Sequence, residues 1–414
     1  ALYALIFRKD KKTLFFGSLF FIALIFSLPT LFAKLPFFLS IPFISTAQPT
    51  RLIFLIDFSM SILAALGLNY LIKTKKWKEI FLPSGFIGVF LLILFGIVLS
   101  GQQFGINVED LVVAKRNMIL PLLLFISSLL LVVAFLKLDK KYKSYLLMLL
   151  IIITIFDLFR FSWKFNTFSK KEYLFPQTSS ITFIKNNIGN FRIATTDPRI
   201  MPPNFSSAYK IQSVEGYDPL FLNRYAEFVS AINRHEPNIK PPFGFNRIVR
   251  IENFSSDLVD LIGVKYVLSL SEMIDPSFVK VYEEGQTKVY ENKQVLPRVF
   301  FVDEVKFAKN KQEAVNMMFN NTFDPGRTAI VEDNIDKINF EKGEAKIIKY
   351  SENIVEIQTE NDAEGFLVLT DSNYPSWHVK INNQETKIYQ TDYNFRGIKV
   401  PKGNSRIIFY DKIL

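Results

Sequence analysis

The sequence predicts a multi-pass α-helical membrane bundle, then an extracytoplasmic α/β subdomain, then a C-terminal β-sandwich-like subdomain. Up to residue 163 the chain runs apolar for about 20 residues at a time, enough to cross a ~30 Å hydrocarbon core as helix. Beyond that point its pattern is that of a globular chain. Charge divides in the same way, because residues 1–163 hold 17 of the 49 Lys and Arg but only 7 of the 39 Asp and Glu.

The apolar part, residues 1–163, is the predicted transmembrane region. Residues 1–7 have the character of the last two turns of a helix, so we expect the chain to be the C-terminal part of a longer protein. Five further spans are predicted, at residues 13–33, 52–72, 80–100, 118–136 and 144–162.

The loops between these spans predict the orientation of the chain. Twelve basic residues lie before the first span, after the second and before the last, against four in the other two loops. Basic loops stay in the cytoplasm, so this bias places everything after about residue 163 outside the cell, in a multi-pass protein of the cell membrane.

One connecting segment, residues 34–50, is apolar but too short to span and is interrupted by Pro36, Pro42 and Pro49. Proline removes a backbone donor and breaks helices. We expect a re-entrant or interfacial element at the outer face. A plain aromatic loop resting on the lipid headgroups is the alternative.

Residues 164–296, the predicted α/β subdomain, mix helix and strand signals. Thr178 or Ser179 can cap a helix that runs through Asn187, and Asp218 followed by Pro219 predicts the start of another helix. A short helix near 256–262 should lead into a strand, and a hairpin should turn at Gly285.

Residues 297–414, the predicted β-rich subdomain, are mostly short strands separated by polar turns, with one helix at about 311–319. This regular pattern is typical of a β-sandwich. The strands are expected near residues 298–303, 345–350, 353–358, 365–370, 377–381, 386–390, 396–400 and 405–410.

Composition excludes several classes of function. The chain has no Cys, which excludes disulfides, thiolate metal sites and cysteine nucleophiles. With two His residues a zinc site is not expected, so we predict no metal. The sequence contains no motif from which a nucleotide or other cofactor site can be recognised. The basic surplus lies in the membrane half, where it suits an anionic bilayer, and we predict no nucleic-acid partner.

Several passages resemble the bacterial YfhO membrane proteins, large multi-spanning proteins of the GT-C glycosyltransferase type. One departure is Ser376, where family members usually have glycine before the tryptophan. The likeness runs in order along the chain, through "PTRLIFLIDFSMSILAALGLNYL" (49–71), "FRIATTD" to "SVEGYDPLFLNRY" (191–225), "DLIGVKYVLS" (260–269), "YENKQVLPRVFFV" (289–302), and "GFLVLTDSNYPSWHVKINNQ" with "FRGIKVPKGNSRIIFYD" (365–411).

The resemblance implies transfer of a sugar from a polyprenyl-phosphate donor to an extracytoplasmic cell-envelope acceptor, a cell-wall polymer or glycolipid. Such enzymes usually carry a catalytic carboxylate in their first outer loop. That loop is not in this sequence, so the catalytic residues are unknown. The alternative is a non-enzymatic, membrane-anchored protein that binds a glycan or a partner. A transporter is less consistent, because the charges within the spans cluster toward the outer face.

Two charged residues at membrane depth are the candidates for binding the lipid-linked phosphate. Arg51 begins a span on the outer side, where a guanidinium can hold a phosphate with two hydrogen bonds. Asp57, two turns deeper, would fix its rotamer, and Phe37, Phe38 and Phe43 would give an apolar wall. The alternatives without ligand binding are that Arg51 extends to the lipid headgroups and that Asp57 forms a buried ion pair.

Three residues of the outer region are candidates for contact with the acceptor. Glu215 and Tyr217 are polar groups able to meet a sugar, although a turn before a helix explains them equally well. Trp377 is able to stack on a sugar ring, although packing in the core is the commoner role of a tryptophan in a strand-rich domain.

Overall fold

The computed structural model describes residues 1–42, 45, 48–166, 168–335 and 339–412. The chain divides into two compact units, Ala1–Phe168 and Ser169–Leu414. The first is helical and the second is rich in strands.

The first unit consists of helices joined by short 3-10 turns, such as Pro49–Leu52 and Trp77–Ile80. Asp10 caps the second helix, because its side chain accepts from the backbone amide of Thr13. The helices are α1 (Leu2–Phe7), α2 (Lys11–Ser27), α3 (Leu35–Phe38), α4 (Ile53–Thr74), α5 (Phe81–Ser100), α6 (Val108–Lys137) and α7 (Lys140–Phe165).

Four helices in the described part of this unit are long and apolar enough to cross a membrane: Pro49–Thr74, Trp77–Gln103, Val108–Lys137 and Lys141–Phe165. They contain four of the five predicted spans. A fifth crossing is possible only if α2 and the Phe32–Phe38 segment, which meet at 80°, form one broken span.

The first predicted span, 13–33, is therefore wrong as a straight helix. Helix α2 ends at Ser27, and Leu28 is extended with ψ 157°. The reason is Pro29, whose ring disfavours helical backbone at the residue before it. The chain then continues through short helical turns to Phe38, at 80° to α2. The re-entrant or interfacial element expected at residues 34–50 stays a prediction.

The second unit contains four sheets and four α-helices in its described residues. The helices are α8 (Ser179–Asn187), α9 (Asn223–Arg234), α10 (Asp257–Leu261) and α11 (Lys311–Met318). The strands are β1 (Arg192–Thr195), β2 (Gly216–Tyr217), β3 (Ile248–Val249), β4 (Val264–Ser269), β5 (Phe278–Glu284), β6 (Thr287–Asn292), β7 (Val299–Val302), β8 (Glu304–Phe307), β9 (Thr328–Val331), β10 (Glu344–Tyr350), β11 (Ile354–Asn361), β12 (Gly365–Leu369), β13 (Trp377–Ile381), β14 (Gln384–Thr386), β15 (Tyr389–Thr391), β16 (Phe395–Val400) and β17 (Gly403–Asp411).

The sheets follow simple orders. A four-stranded sheet runs β1-β4-β6-β5, with β1 and β4 parallel, and β2 pairs with β3 alone. A five-stranded sheet runs β10-β11-β17-β13-β14, and a six-stranded sheet runs β7-β12-β16-β15-β9-β8. The last two share one apolar core, in which Phe301 and Leu367 of the six-stranded sheet join Ile357 and Phe409 of the five-stranded sheet. The β-rich region predicted after the helices is thus present.

Local predictions in this unit were mostly correct. Thr178 caps α8, α10 leads through Gly263 into β4, and Gly285 turns the β5–β6 hairpin. The helix start at Asp218 is wrong. The Asp218 amide instead donates to the Arg247 carbonyl next to the β2–β3 pair, and its side chain accepts from Leu220, so α9 begins later. Strand pairing outcompetes the local helix signal here.

A second core extends across residue 296, the predicted boundary between the two outer subdomains. Phe228 of α9 contacts Phe395 of β16 edge to face, with ring centroids 5.5 Å apart. The same cluster contains Val315 of α11 and Val264 of β4. The boundary at residue 296 stays a prediction, and any division there would have to split this shared core.

Candidate functional site

Two adjoining cavities lie in the second unit, of about 280 Å³ and about 440 Å³. Arg192, Leu222 and Ser372 line both. We call the two together the arginine cleft. Its walls come from β1, from the segment before α9 and from the chain that follows β12, so residues on both sides of position 296 build it.

A buried carboxylate, Asp371, lines the larger cavity of the cleft. Asp371 Oδ1 accepts from Arg192 Nη2 at 3.0 Å and from Arg298 Nε at 2.9 Å, and its Oδ2 accepts from the Tyr350 hydroxyl at 3.0 Å. The side chains of Arg192, Arg298 and Asp371 are 11%, 5% and 9% exposed. Strand pairing makes this contact, because β7 and β12 are neighbours and Arg298 and Asp371 flank the pair.

The arginines around Asp371 favour the ionised form of its carboxyl group. Burial opposes ionisation of the carboxyl, but the charges of Arg298 and Arg192 outweigh it and hold the pKa of Asp371 below its usual value. Burial, with the neighbouring Arg298 charge, lowers the pKa of Arg192 to about 10. Both groups therefore remain charged at neutral pH.

Arg396 of β16 is the third arginine and lines the larger cavity. Its Nε and Nη2 donate to the Ser372 carbonyl at 3.1 and 2.9 Å. Its guanidinium lies 3.7 Å from the centroid of the Trp377 ring, which lines the same cavity. Burial lowers the pKa of Arg396 to about 10, so it too is a cation at neutral pH.

Glu215 lines the smaller cavity. Its carboxylate accepts from the Thr195 amide at 3.1 Å and the Thr195 hydroxyl at 2.8 Å, and Arg250 Nε lies 3.6 Å away. Burial raises the pKa of Glu215, although Thr195 and Arg250 partly counteract this. A buried carboxyl of raised pKa at one end and a cation against an indole at the other are groups that suit a polyhydroxylated ligand.

A separate cavity of about 690 Å³ lies in the helical unit and is lined almost entirely by apolar residues. Ile22 and Phe26 of α2, Phe37 of α3 and Leu55 of α4 contribute to it, and Arg51 is the charged residue of its lining. The bent segment after α2 thus folds beside the start of α4 and places an apolar wall next to a guanidinium.

The predicted phosphate site is only partly assembled. Arg51 and Phe37 line this cavity, and Phe38 is exposed, while Phe43 lies outside the described residues. Asp57 is exposed and forms no ion pair with Arg51, both being described residues, so its predicted positioning role is not observed. Six helical positions separate them by about 9 Å along the axis and turn them to different faces.

Two of the three predicted acceptor residues come together. Glu215 and Trp377 line the two adjoining cavities of the arginine cleft. Tyr217 does not line either cavity, is 45% exposed, and is fixed through its backbone to the Asn204 side chain. In the described part of the chain no group of three or more His, Asp or Glu could hold a metal ion.

Sequence reasoning missed the arginines and Asp371. A signal for them existed, because each is a charged residue set in an otherwise apolar strand segment: "FRIAT", "LPRVFFV", "LVLTD" and "NFRGIKV". Charged residues are rarely buried without a partner. Such interruptions indicate that partners exist, although they do not say which residues pair.

The fold and the cavities together define a membrane protein with several apolar helices and a β-rich C-terminal unit. A family model described as "Bacterial membrane protein YfhO" matches residues 2–323 and 329–410. The chain therefore belongs to this family, and the predicted resemblance is confirmed. Comparison with curated proteins and with solved structures gave no match.

Proposed function

We propose that this chain is part of a membrane glycosyltransferase-like protein that transfers a sugar from a polyprenyl-phosphate donor to a cell-envelope acceptor outside the cell. The observation that carries the proposal is the cavity at Arg51. An apolar pocket of about 690 Å³ bordered by one guanidinium matches a polyprenyl phosphate, which is a hydrocarbon chain ending in an anion. A simple lipid anchor would need no cavity of this kind.

The arginine cleft is the proposed acceptor site. Trp377 offers an aromatic ring and Glu215 a hydrogen-bonding carboxyl, the two kinds of group that proteins use on sugars. The cleft lies within the second unit alone. If the protein bound the glycan without transferring sugar, this cleft would still bind, and the transfer test on Arg51 separates the two functions.

Replacing Arg51 by alanine should lower sugar transfer about 10- to 100-fold, because a charge-assisted contact to phosphate contributes roughly 1.5–3 kcal/mol. Arg51→Lys should recover part of the activity, since lysine keeps the charge but lacks the planar fork. Transfer is measured with the full-length protein in membranes, using a polyprenyl-phosphate-linked radiolabelled sugar.

The matched control for this test is Arg116→Ala, in α6, because the predicted topology also places Arg116 near the outer face. It should transfer sugar as the unchanged protein does. Normal transfer by an Arg51→Ala protein that inserts correctly would mean that Arg51 only snorkels to the headgroups.

The second unit is proposed to lie outside the cell. A reporter enzyme active only after export, fused after residue 165, should be active, and the same reporter fused after Lys76 should be silent. The reason is the twelve-to-four bias of basic loop residues. A cytoplasmic signal from the fusion after residue 165 would reverse the orientation and remove the extracytoplasmic acceptor from the proposal.

A further inference from the structure

One buried cation in the arginine cleft has an unused donor. Arg396 is 3% exposed, and two of its three nitrogens donate to the Ser372 carbonyl. Its Nη1 is buried and has no hydrogen-bond partner in the described part of the protein. A buried donor left unpaired is costly, and more so when it is charged, so such a group indicates a missing acceptor.

Neither carboxylate on the cavity lining is the acceptor for Arg396 Nη1. Asp371 is held by Arg192 and Arg298 on one oxygen and by Tyr350 on the other. Glu352, also on the cavity lining, is exposed and forms no ion pair with Arg396, both residues being described. The charges of Asp371 and Asp411 act on the guanidinium of Arg396, but among the described residues its Nη1 has no hydrogen-bond acceptor.

Three aromatic side chains also line the same cavity. The Trp377 ring lies 3.7 Å from the guanidinium of Arg396, and Tyr350 and the half-exposed Tyr374 also line the space. A volume of about 440 Å³ accommodates one sugar ring with an attached charged group. Aromatic faces suit the apolar side of a sugar ring, and a guanidinium edge suits two oxygens of an anion.

We propose that the larger cavity of the arginine cleft is a subsite for an anionic sugar, in which Arg396 Nη1 donates to a phosphate or carboxylate oxygen of the ligand. Trp377 packs against the guanidinium, and the ion pair of Arg192 and Asp371 forms another part of the cavity wall. The role of this ligand as the acceptor rests on the proposed function. The subsite itself rests only on the geometry.

The subsite is tested by binding to the full chain in detergent. The protein has three tryptophans, so Trp77→Phe and Trp163→Phe leave Trp377 as the single fluorophore beside Arg396. The probes are glucose 1-phosphate, glucuronate, inorganic phosphate and the neutral methyl glucoside. Ligand-induced change in thermal unfolding serves as a second readout.

Glucose 1-phosphate or glucuronate should bind at least about 10-fold more tightly than methyl glucoside. The better of these two probes shows whether phosphate or carboxylate is the preferred charge, and inorganic phosphate should bind more weakly because it lacks the ring. Equal binding of neutral and anionic sugars, or no response to any probe in either readout, would overturn the proposal.

Variants assign the effect to Arg396. Arg396→Met keeps much of the packing against Trp377 and should weaken anionic probes about 10-fold or more without changing the neutral one. Arg396→Lys should lie between, and Arg406→Met, an exposed arginine on β17, is the matched control and should bind normally. Unchanged affinity in Arg396→Lys and Arg396→Met would move the anion site elsewhere. If Arg396→Met does not fold, the preference of the unchanged protein and the lysine variant still decide the question.

Failure of this proposal differs from failure of the proposed function. Anion binding with no sugar transfer in any assay would keep the subsite and remove the transferase role. Sugar transfer that depends on Arg51 but shows no dependence on Arg396 or on charged acceptors would do the reverse.

Discussion

Asp371→Ala is expected to destabilise the second unit by roughly 3–5 kcal/mol, the cost of breaking a buried ion pair by removing one partner. Arg192 and Arg298 would then face each other with no counter-charge, both at most 11% exposed. The measurement is urea unfolding of residues 169–414, followed through Trp377, the single tryptophan of that fragment.

The control for Asp371 is an aspartate of the same unit in an exposed ion pair. Asp333 contacts Lys387 at 2.9 Å, with both side chains more than a third exposed, and Asp333→Ala should change stability by less than about 1 kcal/mol. Equal effects of the two substitutions would show that the buried cluster contributes no more than a surface pair.

Asp392 should make the second unit less stable as pH rises from about 4 to about 7. It is fully buried, its Oδ1 accepts from the Ile330 amide, and its Oδ2 has no partner among the described residues. Burial raises its pKa to about 7. The unfolded chain releases this proton near pH 4 while the folded chain keeps it, so the stability present below pH 4 is lost as pH rises through 7.

Asp392→Asn should remove this slope and stabilise the unit at pH 8 by about 2–4 kcal/mol, because asparagine cannot ionise. The backbone also favours the change, since residue 392 has φ 42° and asparagine tolerates the left-handed region well. The measurement is the free energy of unfolding of residues 169–414 between pH 4 and 8. Parallel pH curves for the two proteins would contradict this prediction.

The comparison of variant with parent is needed because other groups titrate in the same range. Burial raises the pKa of Asp260 to about 6 and also raises that of Glu215. Both are present in the two proteins, so their contributions cancel in the difference. What remains is the part due to Asp392.

Regular elements could be predicted from the sequence because their signals are local. Twenty apolar residues, a Thr178 cap or a glycine at position 285 each act within a few residues. The two wrong predictions also have physical causes. Pro29 acts on the residue next to it and ends α2 early, whereas the hydrogen bond from Asp218 to Arg247, which is distant in sequence, prevents a helix at Asp218.

The candidate site could be predicted only in part. Glu215 and Trp377 stood out as single residues, but the arginine cluster depends on strands that are distant in sequence. Arg192 and Asp371 are 179 positions apart, and no local pattern specifies that they meet. Arg51 was chosen for its depth at the outer end of a span, and its phosphate-binding role stays a prediction. Asp57 was chosen as its partner from sequence spacing alone, which does not say that the two side chains meet.

The two ion pairs that Arg192 and Arg298 form with Asp371 also affect how quickly a ligand enters the cleft. Arg192 lies before residue 296 and Arg298 after it, and both hold the same carboxylate. Opening the cleft as a hinge would separate buried opposite charges. The cavity is therefore already formed before the ligand arrives, so association should follow a single phase whose rate rises linearly with ligand concentration, without a slow isomerisation step.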